Sequence, residues 1–497
     1  MLISELDFMF YPSIPAGPAP SQHWDYLIVT AANERQAAAY ESQMRMRQVP
    51  GVTRMLVVPD AGGRRIGSGG STVQCLLEVL RREAAPPEAA AEVLRRLRIL
   101  IVHAGGDSRR LPAYSPCGKI FVPLPGESSI FERLVPTFLA LPEGRSGAGQ
   151  VVVAAGDALI LFAPGAADFS RPGINVLAAK AAPEEAARHG VICPSPDGSV
   201  LRFLQKPAVG EQANAGAIAA DGRTLLDVGV MSMDAGSAAR LVHACAGRLS
   251  FRLDLYREIC CALGSQATLA GYLAATRQSG SQVPEPVLAE LFEQLRSLPL
   301  HVSALQRCDF LHFGSTSQLI SSGIQLAGPP DGILRIASIV EPPGRVDARE
   351  SWIEGCRIRA PLTLRGRNVL VGADVDEPFE LPPSGCLDIA PGPNQYFIRY
   401  YGVDDSFKDA NFCGRPLPDW LEAESRQPLW NARIFPAEQD PQAYVRWRWM
   451  LDIARATSEQ KSMLLAANRY SSAEIALRID HAAFYARRTA ILCSPRP

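Results

Sequence analysis

Two glycine-rich stretches carry the clearest chemical signal in the sequence. The first is Ile66-Gly67-Ser68-Gly69-Gly70-Ser71-Thr72, ahead of an amphipathic helical run over residues 73–82. The second is His103-Ala104-Gly105-Gly106-Asp107-Ser108-Arg109-Arg110-Leu111-Pro112, which continues to Gly118-Lys119-Ile120-Phe121. Glycine lets a backbone approach a phosphate closely, and a following helix N-terminus offers unbonded N–H groups. Arg109, Arg110 and Lys119 add the cationic groups that surround a polyphosphate. Either cluster alone is more often a plain turn; two at strand ends of one sheet point to a nucleotide site.

Further candidates follow. Gly156-Asp157 ends the apolar run 151–155, where a carboxylate is placed to hold Mg²⁺ against phosphates; the competing reading is an N-cap for a helix over 158–162. His189-Gly190-Val191 and Gln205-Lys206-Pro207 flank a hairpin turned by Asp197-Gly198. Asp227 precedes an apolar strand, and Asp254 lies in Leu253-Asp254-Leu255; lone aspartates of this kind are usually structural. His103 reads as a core histidine, Arg109 as a solvated neighbour of Arg110, and Lys206 equally as a surface residue. Other chemistries find no support. Gly118-Lys119-Ile120 lacks the Ser or Thr and the upstream glycine of a Walker A loop, G-x-G-x-x-G is met in neither stretch, and G-x-S-x-G and HExxH are absent.

These residues need a scaffold. Candidate strands lie at 26–30, 55–58, 99–103, 151–154, 174–178, 200–204 and 228–233, with helical patterns at 34–47, 73–82 and 88–97 between them. Alternating β and α segments with nearly continuous apolar strands imply an α/β fold with a mostly parallel sheet, whose ligands bind beyond the carboxyl ends of the strands. From about 314 to 373 short apolar pieces separated by glycines suggest stacked coils of a β-helix, with an ordinary antiparallel sheet as the alternative. After about 416 helical patterns return at 441–457, 460–468 and 472–488, the last opened by the capping box Ser471-Ser472-Ala473-Glu474. The divisions are thus 1–313, 314–415 and 416–497.

Composition bounds the partners. With 497 residues the chain is long enough for two to four domains. Lysine plus arginine number 50 against 51 acidic residues, so the basic excess of a general nucleic-acid binder is missing. No apolar run reaches the roughly 18 residues of a membrane helix, and the N-terminus lacks a basic leader region. Eleven cysteines without a CxxC pair indicate neither a disulfide framework nor zinc, and fit a reducing cytoplasm.

The second glycine stretch with Gly118-Lys119 resembles the signature of sugar-nucleotide pyrophosphorylases. It is most similar to the GDP-L-fucose pyrophosphorylase half of bifunctional fucokinase/fucose-1-phosphate guanylyltransferases. The resemblance includes Tyr114-Ser115-Pro116, Pro123-Leu124-Pro125, Trp24-Asp25-Tyr26, Thr30-Ala31-Ala32-Asn33-Glu34, Gly67 to Thr72 and Ala155-Gly156-Asp157. It continues through Phe310-Leu311-His312-Phe313-Gly314-Ser315-Thr316 to Trp430-Asn431-Ala432, in order along nearly the whole chain.

What the resemblance implies is a Rossmann-like nucleotidyltransferase core followed by a β-helix-like domain and a helical C-terminal segment. The implied reaction joins a sugar 1-phosphate to a nucleoside triphosphate with release of pyrophosphate, with GTP and L-fucose 1-phosphate as substrates. Arg110 would hold the departing phosphates, Lys119 the α-phosphate and Lys206 the sugar phosphate. Gly67, Ser68, Gly69, Gly70, Ser71, Thr72, Gly105, Gly106, Asp107 and Ser108 would cradle the nucleotide, and His189, Gly190 and Asp227 the sugar. Asp157 would carry Mg²⁺, with Asp254 or Asp227 as second carboxylate. The same chemistry on another sugar or base, and a silent scaffold that kept the fold, remain alternatives; a homodimer is left open. The kinase half's Gly-Leu-Gly-Ser-Ser loop is not found, so kinase activity is not expected of this chain.

Overall fold

The computed structural model describes residues 23–494 except 107, 116, 127 and 146. Asp107 therefore lies outside the described residues.

A nine-stranded sheet organises the first 300 residues. Its strands are β1 (Trp24–Ala31), β2 (Val52–Pro59), β3 (Arg98–His103), β4 (Gln150–Ala155), β5 (Ile174–Ala181), β6 (Gly190–Pro194), β7 (Val200–Gln205), β8 (Thr224–Met233) and β9 (Leu300–Leu305). The order runs β7-β6-β8-β4-β3-β1-β2, with β5 also on β8 and β9 on β5. β1, β3 and β4 are buried on both faces, because helices cover both sides. Alternate side chains feed two cores: Leu27 and Val29 face one, Tyr26 and Ile28 the other.

All seven strands expected from the sequence are present, but the sheet is mixed. β2, β1, β3 and β4 are parallel neighbours, whereas β8 runs antiparallel to β4, β5 and β6. A buried strand is apolar whichever way it runs, so its composition carries no direction. The first glycine stretch also differs. It is not a loop: helix α1 spans Gly67–Arg82 and takes the glycines into its first turns. The 158–162 segment is a strand, Ala158–Leu161, paired with Asp309–His312, which removes the helix-cap reading of Asp157.

Beyond helix α2 (Thr316–Ala327) the chain coils. Ile333–Ile336, Ser351–Glu354, Val369–Val371 and Gly385–Gly392 form one parallel ladder. Ile339–Val340, Arg357–Ile358 and Asp374–Val375 form a second, and Arg345–Ala348, Pro361–Leu364 and Phe379–Leu381 a third. Each of three circuits of the chain adds one strand to each ladder. Ile353, Leu370 and Leu387 stack in register on one face, while Trp352, one residue off, turns the other way onto Tyr114 and Gly323. The terminal helices are shorter than their patterns. The Ser471–Glu474 capping box opens only Ser472–Ala476, and the last helix is a separate one, His481–Leu492.

Candidate active site

Four parallel neighbours end on one cleft of about 620 Å³: Asp60 follows β2, Thr30 lies near the end of β1, His103 ends β3, and Ala155 ends β4 with Asp157 beyond it. A buried polar frame fixes this floor. Thr30 Oγ1 accepts the Ala104 and Gly105 N–H groups at 3.2 and 3.3 Å, which turns the second glycine stretch across the strand ends. His103 sits with Nε2 2.9 Å from Thr72 Oγ1 and Nδ1 3.4 Å from Thr30 Oγ1. Burial lowers its pKa to about 4, against the opposing pull of Asp254 and Asp157, so it is neutral at pH 7.

The arginine loop is held from upstream by Tyr40 and from downstream by several segments. Tyr40 Oη donates to Ala104 O, Thr316 N to Arg110 O at 2.9 Å, and Phe407 N to Arg109 O at 3.0 Å. The Arg109 guanidinium lies 5.7 Å over the Trp430 ring. Arg399, fully buried and paired with Asp388 at 2.7 Å, donates to Pro112 O at 2.9 Å. Tyr114 is bonded both to Glu354 and to the Trp352 indole, and Glu354 is paired with Arg488 of the last helix. Lys119 Nζ and Arg110 Nη2 lie 3.6 and 3.8 Å from the point where a side chain on Gly314 would begin. Glycine there leaves the space between the two cations open. Lys119 Nζ is 3.6 Å from Asp157 Oδ2, and the Asp157 side chain is 61% exposed to the cleft.

Gly67, Ser68, Ser71, Gly105, Gly106, Ser108, Arg110, Lys119, Asp157 and Asp254 all line the cleft. Gly69, Gly70 and Thr72 do not. Gly69 N donates to Leu253 O at 2.9 Å, and a Cβ on it would stand 2.5 Å from Ile259 Cδ1. A Cβ on Gly67, at φ +81°, would meet Leu253 O at 2.2 Å. These glycines are small so that the 253–259 segment can pack on the helix. Asp254 Oδ1 caps that segment through Tyr256 N and Arg257 N, and its Oδ2 accepts from Ser68 Oγ at 3.2 Å.

The four residues expected near the sugar lie outside the lining. Lys206 N donates to His189 O at 2.9 Å, which joins the two arms of the hairpin. The His189 ring is 5.7 Å from that of His312, and its pKa is lowered by burial, then by His312 and Lys206. Gly190 begins β6 beneath Phe203. Asp227 is inside β8 rather than ahead of it, 6% exposed, with Gly229 N as its donor; burial raises its pKa to about 7.

Sequence reasoning missed Asp60, Arg65, Arg252, Tyr256 and Lys408 in the lining. Asp60 Oδ1 takes the Ser71 hydroxyl at 2.6 Å, and burial raises its pKa despite Ser71 and Arg65. One signal was available. The chain has only five lysines, Lys119, Lys180, Lys206, Lys408 and Lys461, and two of them line this cleft. A larger cavity, about 780 Å³, opens between the last coil and the 448–455 segment. Several of its charges are paired locally, as Asp404 with Arg367 and Asp452 with Arg455, and no residue of the nine-stranded sheet lines it.

Fold and cleft together define an α/β protein that gathers cations and carboxylates beyond the ends of parallel strands, an arrangement for phosphate groups. The chain belongs to the fucose pyrophosphorylase domain family, whose model matches residues 91–440. It is 25% identical to the bifunctional fucokinase/GDP-fucose pyrophosphorylase of Arabidopsis thaliana, over 91% of this chain and 50% of that protein. It is 28% identical to the fucose-1-phosphate guanylyltransferase of Mus musculus, over 61% of this chain and 57% of that one. The chain thus spans about half the length of the curated relatives it matches. Among solved structures it aligns with mannose-1-phosphate geranyltransferase from Thermus thermophilus at 13% identity, covering 76% of this chain and 95% of that one, with a TM-score of 0.26.

Proposed function

We propose that this chain joins L-fucose 1-phosphate to GTP, giving GDP-L-fucose and pyrophosphate. The observation that carries the reading is the grouping of Arg110, Lys119 and Asp157 at the ends of parallel strands, in a chain of the fucose pyrophosphorylase family. The attacking phosphate oxygen is already anionic, so the reaction needs no general base. It needs positioning and charge neutralisation for an in-line displacement at the α-phosphorus. The neutral His103, tied to two threonines, suits a frame and not a proton carrier.

In this reading Lys119 neutralises the α-phosphate and Arg110 the departing β- and γ-phosphates, with Gly105 and Gly106 lining their approach. Lys206 and His189, at the hairpin beside the cleft, serve the sugar phosphate. Asp157 and Asp254 would hold Mg²⁺, which when bound screens the phosphate charge. The donor set fits that ion. Asp157 is exposed to the cleft, Asp254 keeps one oxygen with only a serine hydroxyl, and no group of three metal-binding side chains occurs among the described residues. Mg²⁺ takes most of its ligands from water and substrate phosphates.

The three stacked ladders are read as a β-helix-like domain that braces the arginine loop, with divisions near 314 and 416. The cysteines of the described residues are free thiols, most of them buried, which suits a cytoplasmic protein. No helix among the described residues is long and apolar enough to cross a membrane. The test is pyrophosphate release across a panel of sugar 1-phosphates and triphosphates with Mg²⁺. Release is expected to be greatest with L-fucose 1-phosphate and GTP. Preference for another sugar would overturn the substrate, and no release with any pair would overturn the reaction.

A further inference from the structure

Lys408 reaches the cleft from outside the α/β unit. It follows Gln395–Gly402, the strand that pairs with the last coil, yet it lines the cleft. Its backbone is fixed on both sides. Phe407 N donates to Arg109 O at 3.0 Å while Phe407 O accepts from Trp430 N at 3.0 Å, and Asp409 O accepts from Leu429 N at 2.8 Å. At the base of the segment the buried Asp405 closes the loop by accepting from Gly402 N at 2.7 Å and Cys413 N at 2.9 Å. The segment is therefore stapled to the arginine loop itself.

The ammonium at its tip feels like charge from several sides of the cleft. Arg110, Lys119, Arg109 and Lys206 all act on Lys408, in that order of strength, and among the described residues it has neither a hydrogen bond nor an ion pair. The carboxylates of the lining, Asp60, Asp157 and Asp254, form no ion pair with it, and holding a cation among others without such a partner is unfavourable. The lysines sharpen the point. Of the five in the chain, Lys119 and Lys408 line this cleft from separate parts of the sequence, and Lys206 acts on Lys408 from beyond the lining. A bound polyanion would convert the repulsion into attraction, and a charge held in place beforehand loses little entropy when it binds.

We propose that Lys408 is a phosphate-binding residue that grips the terminal phosphates of the nucleoside triphosphate, and the inorganic pyrophosphate formed from them. The proposal rests on the nucleotidyl-transfer reading above and adds a binding group to it. It places the grip at the Arg109–Arg110 end because the Lys408 segment is bonded to Arg109 and Arg110 is its strongest electrostatic neighbour.

The test compares the wild-type chain with Lys408→Ala and Lys408→Arg by calorimetric titration at fixed ionic strength with Mg²⁺. The probes are GTP, GMP, inorganic pyrophosphate and L-fucose 1-phosphate. Loss of one charge-assisted contact should raise the dissociation constants for pyrophosphate and GTP roughly 10-fold in Lys408→Ala. GMP, which lacks the two terminal phosphates, and L-fucose 1-phosphate should bind as before, and Lys408→Arg should recover most of the loss. Melting temperatures of the three proteins should agree, since the ammonium has no hydrogen-bond or ion-pair partner among the described residues. Unchanged pyrophosphate and GTP binding in Lys408→Ala would overturn the proposal, and so would a loss confined to L-fucose 1-phosphate or shared equally by GMP. Failure of the wild-type chain to bind GTP or pyrophosphate is a distinct result. It would bring down the nucleotidyl-transfer reading itself, and this proposal with it.

Discussion

Lys119 is held between Asp157, 3.6 Å away, and the open space that Gly314 leaves beside Arg110. Its charge is needed where the α-phosphate gathers charge in the transition state, so Lys119→Ala should lower turnover roughly 10²-fold or more with the melting temperature nearly unchanged. Single-turnover and melting measurements on the variant check this together; near-normal turnover would remove Lys119 from the mechanism. Asp227 makes the opposite kind of prediction. Its carboxyl is buried in β8 and titrates at about 7 in the fold, against an ordinary value of 3.8. Between about pH 4 and 7 the folded chain keeps a proton that the unfolded chain has lost. Asp227 therefore makes stability fall as pH rises through that window, by up to a few kcal/mol, and levels off above it. Asp227→Asn should abolish this component: its melting temperature relative to the wild type should climb from about pH 4 to 7 and then flatten. A constant difference across that range would mean that Asp227 is charged in the fold throughout. That Arg110, Lys119 and Asp157 line the cleft was legible because each is a charged residue close to glycines in the segments that follow apolar strands. Asp60 and Arg252 were not, because nothing in their neighbours' spacing shows that their strands and segments converge.

At the scale of elements, the arginine loop owes its shape to residues far downstream, 206 positions on for Thr316 and 287 for Arg399. Arg399 is buried against Asp388 and holds Pro112 O, while Phe407 and Thr316 hold the carbonyls of Arg109 and Arg110. Removing one member of a buried pair strands the other, at about 3–5 kcal/mol. Arg399→Ala should therefore lower the melting temperature and, by releasing Pro112, turnover as well. Arg399→Met combined with Asp388→Leu should recover most of the stability and little of the turnover. Full recovery of both would show that the pair only fills the core. The sheet strands were legible because buried strands are continuous apolar runs. The glycine stretch at 67–72 misleads for a physical reason. Glycine is used both where backbone meets phosphate and where backbone meets backbone, and only the fold reveals that Gly67 and Gly69 face Leu253 and Ile259. The direction of β8 was hidden too, since hydrogen-bonding direction leaves no trace in composition.

Across the whole molecule the coiled strands and the sheet share one core, which runs from Leu27 and Val29 through Tyr114 to Trp352 and the interior of the stack. That continuity explains how Lys408 and Trp430, from far along the chain, come to act on a cleft built by β1 to β4. It also ties cleft geometry to the integrity of the downstream region, so sheet and coils work as one unit. In the proposed function this unit exchanges pyrophosphate for fucose 1-phosphate at the α-phosphorus. One phosphoanhydride is traded for another of similar energy, so the catalyst must run the reaction both ways. The direct measurement is to incubate the chain with GDP-L-fucose, Mg²⁺ and radiolabelled pyrophosphate and to follow label into GTP. Label should enter GTP in step with the release of L-fucose 1-phosphate, and the rate should collapse in Lys119→Ala. Absence of label from GTP at any enzyme concentration, with GDP-L-fucose bound and the chain folded, would contradict the proposed reaction.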